Sequence, residues 1–261
     1  MDGQDHGRRP ASPPGAQAIP ATWKPLPLLD PTVAETGRWS VWYVAETGST
    51  NADLLALATA HDHEVPDRTV LVAGHQTAGR GRLDRTWDAP PGVNLLTSIL
   101  FREVPDDPGV LTRSIGIAAV DAVVAVAGLR ARLKWPNDVL LDGRKLAGIL
   151  AQRSPTGAVV VGLGLNVGWA PDGAARVGAG VEPLTVLTEL LRALGSQGAE
   201  THDRYRTLLD TLGRRVRVEL PSGDIVGHVV DVARDGGLHV VDECAITHHI
   251  DAGDIVHLRD V

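Results

Sequence analysis

The stretch KWPNDVLLDGRKLAGIL, Lys134–Leu150, decides the fold class. Asp142-Gly143 stands between two apolar runs, Val139–Leu141 and Lys145–Gln152, and an Asp-Gly pair so placed predicts a β-hairpin. An antiparallel pair here means that the sheet is not built from strand–helix–strand units alone, so the class is α+β. The hairpin also carries a geometric inference. With a loop of two or four residues, even-numbered positions on the first strand share a face with odd-numbered positions on the second. Asp138 and Lys145 then point to one side, within reach of each other or of one ligand. An edge ion pair worth little is the plain alternative. A lysine on the inner face, beside Leu146, Ala147 and Gly148, would need a partner.

Around this hairpin the patterns alternate between strand and helix. Ser49–Ala60 reads as a helix, with Thr50 as N-cap and Asp53 completing a capping box. Val70–Ala73 and Leu95–Phe101 read as strands, and Ala158–Val167, rich in valine, as a central strand. Ile115–Leu129 is a 15-residue apolar run interrupted by Asp121. It reads as a buried helix, since a membrane span needs about 20 apolar residues. Helices follow at Pro183–Leu194 and Glu200–Leu212.

Both ends of the chain differ from this middle zone. Residues 1–31 hold seven of the 17 prolines and show no period, which predicts a disordered leader over residues 1–38. The middle zone covers residues 39–213. Beyond it, Val216–Leu220, Ile225–Ala233, Leu238–Asp242 and Ile255–Leu258 are short strand patterns separated by Pro221–Asp224 and Arg234–Gly237. They predict a small closed barrel over residues 214–261.

Composition narrows the function classes. The chain has 25 basic and 32 acidic side chains, a net charge of −7, which argues against a surface that neutralises nucleic-acid phosphates. A single cysteine, Cys244, excludes an internal disulfide and points to a reducing cytoplasm. No signal peptide or membrane span is legible. No Walker A, HExxH or GxSxG sequence and no Cys/His metal cluster occurs.

Two further segments carry chemistry. GHQTAGRGRLDRTW, Gly74–Trp87, follows a strand and combines glycines with Arg80, Arg82 and Arg85. Backbone N–H groups and permanent cations there suit an anion, while Gln76 and Trp87 add a directional hydrogen bond and an apolar plate. A solvated basic loop is the competing reading. GLGLNVG, Gly162–Gly168, approaches a dinucleotide fingerprint, but its last gap is three residues and Trp169-Ala-Pro171 bars the helix. Its glycines instead let a central strand approach something closely. Asn166 closes the run as either a ligand contact or a turn residue.

Together, Ser49-Thr-Asn51, GRGRLDRTW, KWPNDVL, KLAGIL and GLGLNV resemble, in order and spacing, the signature of biotin protein ligases from about Trp39 to the C-terminus. The resemblance implies a mixed β-sheet flanked by helices, shared with lipoate ligases, and a C-terminal SH3-like β-barrel. It implies activation of biotin by ATP with Mg2+ to biotinyl-5′-AMP, then transfer to a lysine of a biotin carboxyl carrier protein domain of a carboxylase. Ser49, Thr50, Asn51, Gln76, Gly79, Arg80, Arg82, Lys145 and Gly148 match biotin-holding positions. Arg80, Arg82, Arg85, Trp87, Asn137, Asn166 and Arg259 match positions that hold ATP or the adenylate. Lys145 and Arg82 match catalytic positions, and Asp138 is the candidate for the metal and for orienting the acceptor amine. Asp84 stands where the family loop usually has glycine, and Trp169–Gly180 departs from the family pattern. A monomer or weak homodimer, with no nucleic-acid or membrane partner, is expected. Lipoate or octanoate ligation on the same fold, a biotin-sensing repressor and a non-catalytic biotin-binding scaffold are the competing classes. The repressor is disfavoured, because too few residues precede Trp39 for a helix-turn-helix domain.

Overall fold

The computed structural model describes residues 19–61, 64–198, 201–220, 223–251 and 253–257. Residues 1–18 of the expected leader, and Arg259, lie outside the described residues.

Among the described residues the larger sheet has eight strands. They are β1 Lys24–Pro25, β2 Ser40–Thr47, β3 Thr69–Gln76, β4 Leu95–Phe101, β5 Arg132–Lys134, β6 Asp138–Leu141, β7 Arg144–Arg153 and β8 Val159–Leu165, in the order β1-β2-β3-β4-β8-β7-β6-β5. Only β2 and β3 pair in parallel, and α2, Thr50–Ala60, joins them. The remaining neighbours are antiparallel, as the hairpin at Asp142-Gly143 requires.

Strand periodicity sorts the side chains onto two faces. Leu95, Ile99 and Phe101 of β4 and Val159, Val161, Leu163 and Leu165 of β8 join one apolar cluster, together with Ile115, Ile117 and Val120 of α3, Gly109–Ala127. Leu96, Leu100 and Val160 face the other way and meet Leu54, Leu57 and Ala58 of α2. Truncating the fully buried Leu54 to alanine would cost roughly 2–5 kcal/mol in lost burial and the cavity left behind. On the α2 face, β8 presents Gly162 and Gly164 and β4 presents Ser98, so this layer thins into a hollow beside the N-terminus of α2.

Three expectations about helices change. α3 starts earlier than the apolar run suggested and ends at Gly128, whose φ of 67° is a left-handed cap suited to glycine. At 19 residues and a mean hydropathy of 1.8, it is long and apolar enough to cross a membrane by length and composition alone. Here it packs against α4, Pro183–Gly195, against α5, Thr201–Leu208, and against β5–β8. α5 is shorter than the pattern Glu200–Leu212 suggested. The capping box on α2 does not form. The N-cap is Ser49, and the Asp53 carboxylate accepts from Thr47 Oγ1 at 2.6 Å, while the Thr50 N–H donates to Gln76 Oε1 at 2.8 Å.

The expected disorder of residues 1–38 does not hold over residues 19–38. β1 pairs with β2, and Trp23, Leu28 and Val33 are buried. α1, Pro31–Gly37, packs on α4, with Pro31 in its first turn and the Asp30 side chain accepting from Thr32 N at 3.0 Å. Proline suits both an edge strand and the first helical turn, so its abundance concealed local order.

The C-terminal strands β9 Arg215–Glu219, β10 Ile225–Val232, β11 Leu238–Asp242, β12 Thr247–Ile250 and β13 Asp254–His257 form an antiparallel sheet in the order β12-β11-β10-β9-β13. Among the described residues it is not a closed barrel, because β12 and β13 remain its two edges. This sheet is joined to the larger one through buried groups. Trp135 Nε1 donates to Gly236 O at 2.8 Å and Arg113 Nη1 to Asp235 O at 2.9 Å, both in the turn between β10 and β11. Val216, Val218 and Val240 share one apolar cluster with Leu133 and Trp135, so the two sheets have a common core.

Candidate functional site

Asp142 and Gly143 both have positive φ, 50° and 71°, which gives the two-residue turn whose twist fits a hairpin. Lys145 stands opposite Leu140, and Asp138 stands opposite Gly148. The register slips by one residue between these pairs, a β-bulge. Lys145 and Asp138 thus share a face, and Lys145 Nζ lies 2.7 Å from Asp138 Oδ1. The bulge brings Gly148 to that face as well; unbroken pairing would have turned it away. A Cβ on Gly148 would lie 3.2 Å from the Trp87 ring and 3.3 Å from Lys145 Nζ, so this position has room for little beyond hydrogen.

The hairpin forms one wall of a cavity of about 460 Å³, within the usual range for a small-molecule site. Ser49, Thr50, Asn51, Gln76, Arg80, Arg82, Arg85, Trp87, Asn137, Asp138, Lys145, Gly148 and Asn166 all line it. Of the residues singled out from the sequence, Gly79 does not line the cavity. It closes the base of the arginine loop, where its carbonyl accepts from Trp87 N at 2.9 Å.

A polar chain runs across the cavity floor. Thr50 N donates to Gln76 Oε1 at 2.8 Å, the Thr50 and Ser98 hydroxyls are 2.6 Å apart, and Ser98 Oγ donates to Asn51 Oδ1 at 2.6 Å. Asn51 Nδ2 in turn donates to Gln152 Oε1 at 2.9 Å and to Leu150 O at 3.0 Å. The Thr50 hydroxyl has one proton and two neighbours, Ser98 Oγ and Gln76 Oε1, and the Ser98 proton goes to Asn51, so one acceptor at this point of the floor is left without a donor. Ser98 was missed in the sequence. Its signal was the polar pair Thr97-Ser98 inside the otherwise apolar strand LLTSILF.

The glycines of β8 accommodate close neighbours. A Cβ on Gly162 would lie 2.3 Å from Asn51 Oδ1, and one on Gly164 would lie 2.4 Å from Trp87 Cε2. The Trp87 indole therefore lies almost on the backbone of β8. Its Nε1 is buried with no hydrogen-bond partner. Lys145 Nζ lies 5.7 Å from the centre of the Trp87 ring, a cation–π distance.

Two asparagines have structural duties as well. Asn166 is buried, donates to Ala175 O at 3.0 Å and so fixes the segment after β8. Asn137 Nδ2 donates to Ile149 O at 2.7 Å, which holds it on β7. Behind Lys134, which lines the cavity, the His257 imidazole is pushed down to about 4. Burial is the main cause; the Lys134 and Arg214 cations add to it, and Asp210 opposes them.

Arg82 Nη2 donates to Gly253 O at 3.2 Å, and Arg85 Nη2 donates to Asp254 Oδ2 at 2.6 Å. The start of β13 thus forms a further wall, and Glu219, Asp254, Ile255 and Val256 line the cavity. No local sequence pattern could have found them, because 169 residues separate Arg85 from Asp254.

Among the described residues no group of three or more His, Cys, Asp or Glu side chains is arranged to hold a metal. Magnesium does not need such a cage. It keeps several waters and is held by one or two carboxylates plus the substrate's phosphates, a set that Asp138 fits.

The profile of the biotin/lipoate A/B protein ligase family matches residues 45–167, and that of the biotin protein ligase C-terminal domain matches residues 211–258. The chain is 42% identical over 256 residues to a biotin–[acetyl-CoA-carboxylase] ligase of Mycobacterium tuberculosis, covering 89% of this chain and 94% of that one. A second ligase of the same name, from Paracoccus denitrificans, is 35% identical over 65% of this chain and 74% of its own. The structure of a biotin protein ligase from Aquifex aeolicus in complex with biotin and ATP superposes with a TM-score of 0.72 at 26% identity, covering 84% of this chain and 99% of that one.

Proposed function

The chain belongs to the biotin protein ligases of the biotin/lipoate A/B protein ligase family, and from that premise we propose how its cavity works. The protein joins biotin to ATP, forming biotinyl-5′-AMP and pyrophosphate, and then transfers the biotinyl group to a carrier-protein lysine. The observation that carries this reading is the Lys145–Asp138 pair, 2.7 Å apart beneath Trp87, in the same cavity as the arginine loop and the polar floor.

The acceptor left without a donor on the floor suits a ligand that brings an N–H, as the ureido ring of biotin does. With that ring on Ser98 and Gln76, the carboxylate end extends toward Lys145 and the arginine loop. The carboxylate oxygen attacks the α-phosphorus, and the bond to the pyrophosphate oxygen breaks. Two anions must meet in this step, so fixed cations lower the barrier by opposing the charge that develops. Lys145 and Arg82 hold those cations, and the Trp87 plate beside Lys145 keeps water away from the mixed anhydride. Magnesium, when bound with the nucleotide, supplies further charge neutralisation at the phosphates. In the second half-reaction the acceptor amine attacks the carbonyl carbon, and AMP leaves with the anhydride oxygen. Asp138 lines the same space and serves to orient the amine and take its proton.

The finer partnership rests on the same reading. The acceptor is the biotin carboxyl carrier domain of acyl-CoA carboxylases. The net charge of −7 supports a protein without a nucleic-acid partner, and the single cysteine supports a cytoplasmic home. We further take the working form to be a monomer or weak dimer with no membrane partner. Mass spectrometry of a carrier domain incubated with this protein, ATP and biotin is the test. A gain of one biotinyl group is expected; a gain from lipoate and none from biotin would overturn the reading.

A further inference from the structure

We propose that Asp254 is a positioning residue for retention of the adenylate once it has formed. Its carboxylate is the catch that holds the arginine loop over the cavity, and it makes Arg85 a tether rather than a phosphate ligand. This rests on the biotinyl-AMP reading above.

The loop needs an external hold. Arg80 and Thr86 form a single bridge, Gly81 N donates to Arg85 O at 2.6 Å, and Arg85 N donates to Arg82 O at 3.2 Å. The tip residues Leu83 and Asp84 have φ of 53° and 55°, a left-handed conformation that side chains with a Cβ disfavour. Leu83 is 68% exposed, so apolar burial does not secure the tip. A two-stranded hairpin with so few bonds is marginal by itself in water.

The hold comes from the start of β13, and it treats the two arginines differently. Arg85 meets a carboxylate, Asp254, at 2.6 Å, and its charge is matched. Among the described residues Arg82 meets a neutral carbonyl, Gly253 O, at 3.2 Å, and no carboxylate, so its charge stays available to an incoming phosphate. The Asp254 side chain is 17% exposed and that of Arg85 66%, so the carboxylate is the fixed member and the arginine is the arm that reaches it. Both ends of this catch line the cavity that contains Lys145. An acyl-adenylate lying beneath the loop is then retained for as long as the catch is closed.

The experiment compares wild type, Asp254→Asn, Asp254→Glu, Arg85→Gln and the double variant Asp254→Asn/Arg85→Gln. Dissociation of preformed biotinyl-AMP should quicken about fivefold in Asp254→Asn and in Arg85→Gln, the scale of one solvent-touching ion pair. The double variant should be no faster than either single one, and Asp254→Glu should stay near wild type. Single-turnover formation should change less than twofold in Asp254→Asn. Without any ligand, trypsin should cut after Arg82 faster in Asp254→Asn than in wild type. Wild type that forms no biotinyl-AMP would overturn the functional reading. Wild type that forms it, with Asp254→Asn retaining it as well and resisting trypsin equally, would overturn the catch alone, as would additive effects in the double variant. If Asp254→Asn does not fold, Arg85→Gln decides from the loop side: retention as in wild type overturns the catch.

Discussion

Replacing Lys145 with alanine separates a structural lysine from a catalytic one, because the two roles differ in size by more than a factor of 10². The Lys145–Asp138 pair, at 2.7 Å, joins side chains that are 40% and 21% exposed. A pair this open to water is worth about 0.2–1 kcal/mol, and Asp138, once abandoned, still reaches solvent. The melting temperature should fall by no more than about 2–4 °C for a chain of this size. The reacting centre is a different matter. A cation about 4 Å from a developing charge contributes roughly 4 kcal/mol at an effective dielectric of 20. Loss of one preorganised partner of this kind typically lowers the rate by about 10²–10³. Biotin-dependent exchange of pyrophosphate into ATP, measured beside thermal melting, reads both quantities on one preparation. Exchange within about threefold of wild type in a normally folded variant would remove Lys145 from the mechanism, since an ion pair of about 0.6 kcal/mol could explain so small a loss. A variant that failed to fold would show that the lysine is structural.

Gly164→Ala would set a Cβ 2.4 Å from Trp87 Cε2, an overlap that costs roughly 1–3 kcal/mol unless the indole moves. The expected result is a rise of about tenfold in the KM for ATP with the biotin KM little changed; equal effects on both substrates would count against Trp87 as the nucleotide-side wall. Trp135→Phe leaves the Gly236 carbonyl without its 2.8 Å partner and should cost about 1–3 kcal/mol in urea denaturation, so an unchanged midpoint would mean that this link between the sheets is idle. His257 has a folded value of about 4 against an ordinary 6.5, so between these values the unfolded chain binds the extra proton and stability falls as pH drops from 6.5 toward 4. At roughly 1.4 kcal/mol per unit the ceiling is about 3.5 kcal/mol, and His257→Asn should flatten the melting profile over that window. A variant with the same pH slope as wild type would assign the acid sensitivity to other groups.

What could be read from the sequence was whatever chain-local geometry determines. Asp142-Gly143 sets a two-residue turn, the turn sets parity, and parity puts Asp138 and Lys145 on one face. The same arithmetic could not place Gly148, because the bulge that brings it alongside Lys145 depends on how β7 meets both neighbours. Arg82 and Arg85 show where such reasoning ends. In the sequence they are equivalent cations three residues apart, and only the docking of β13 gives one a carboxylate and the other a carbonyl. The leader misled for the opposite reason: its proline content matches a disordered composition, yet Pro25 stands on an edge strand and Pro31 in a first helical turn, where proline is at home. The misjudged cap on α2 is the most informative departure. Ser49, Thr50 and Asp53 have the right types and spacing for a capping box, yet the Thr50 N–H and hydroxyl turn to Gln76 and Ser98. A helix that gives up a cap worth about 1 kcal/mol does so where the same side chains are needed to line a cavity. The local rule fails at Thr50 because the floor that receives the ligand begins there.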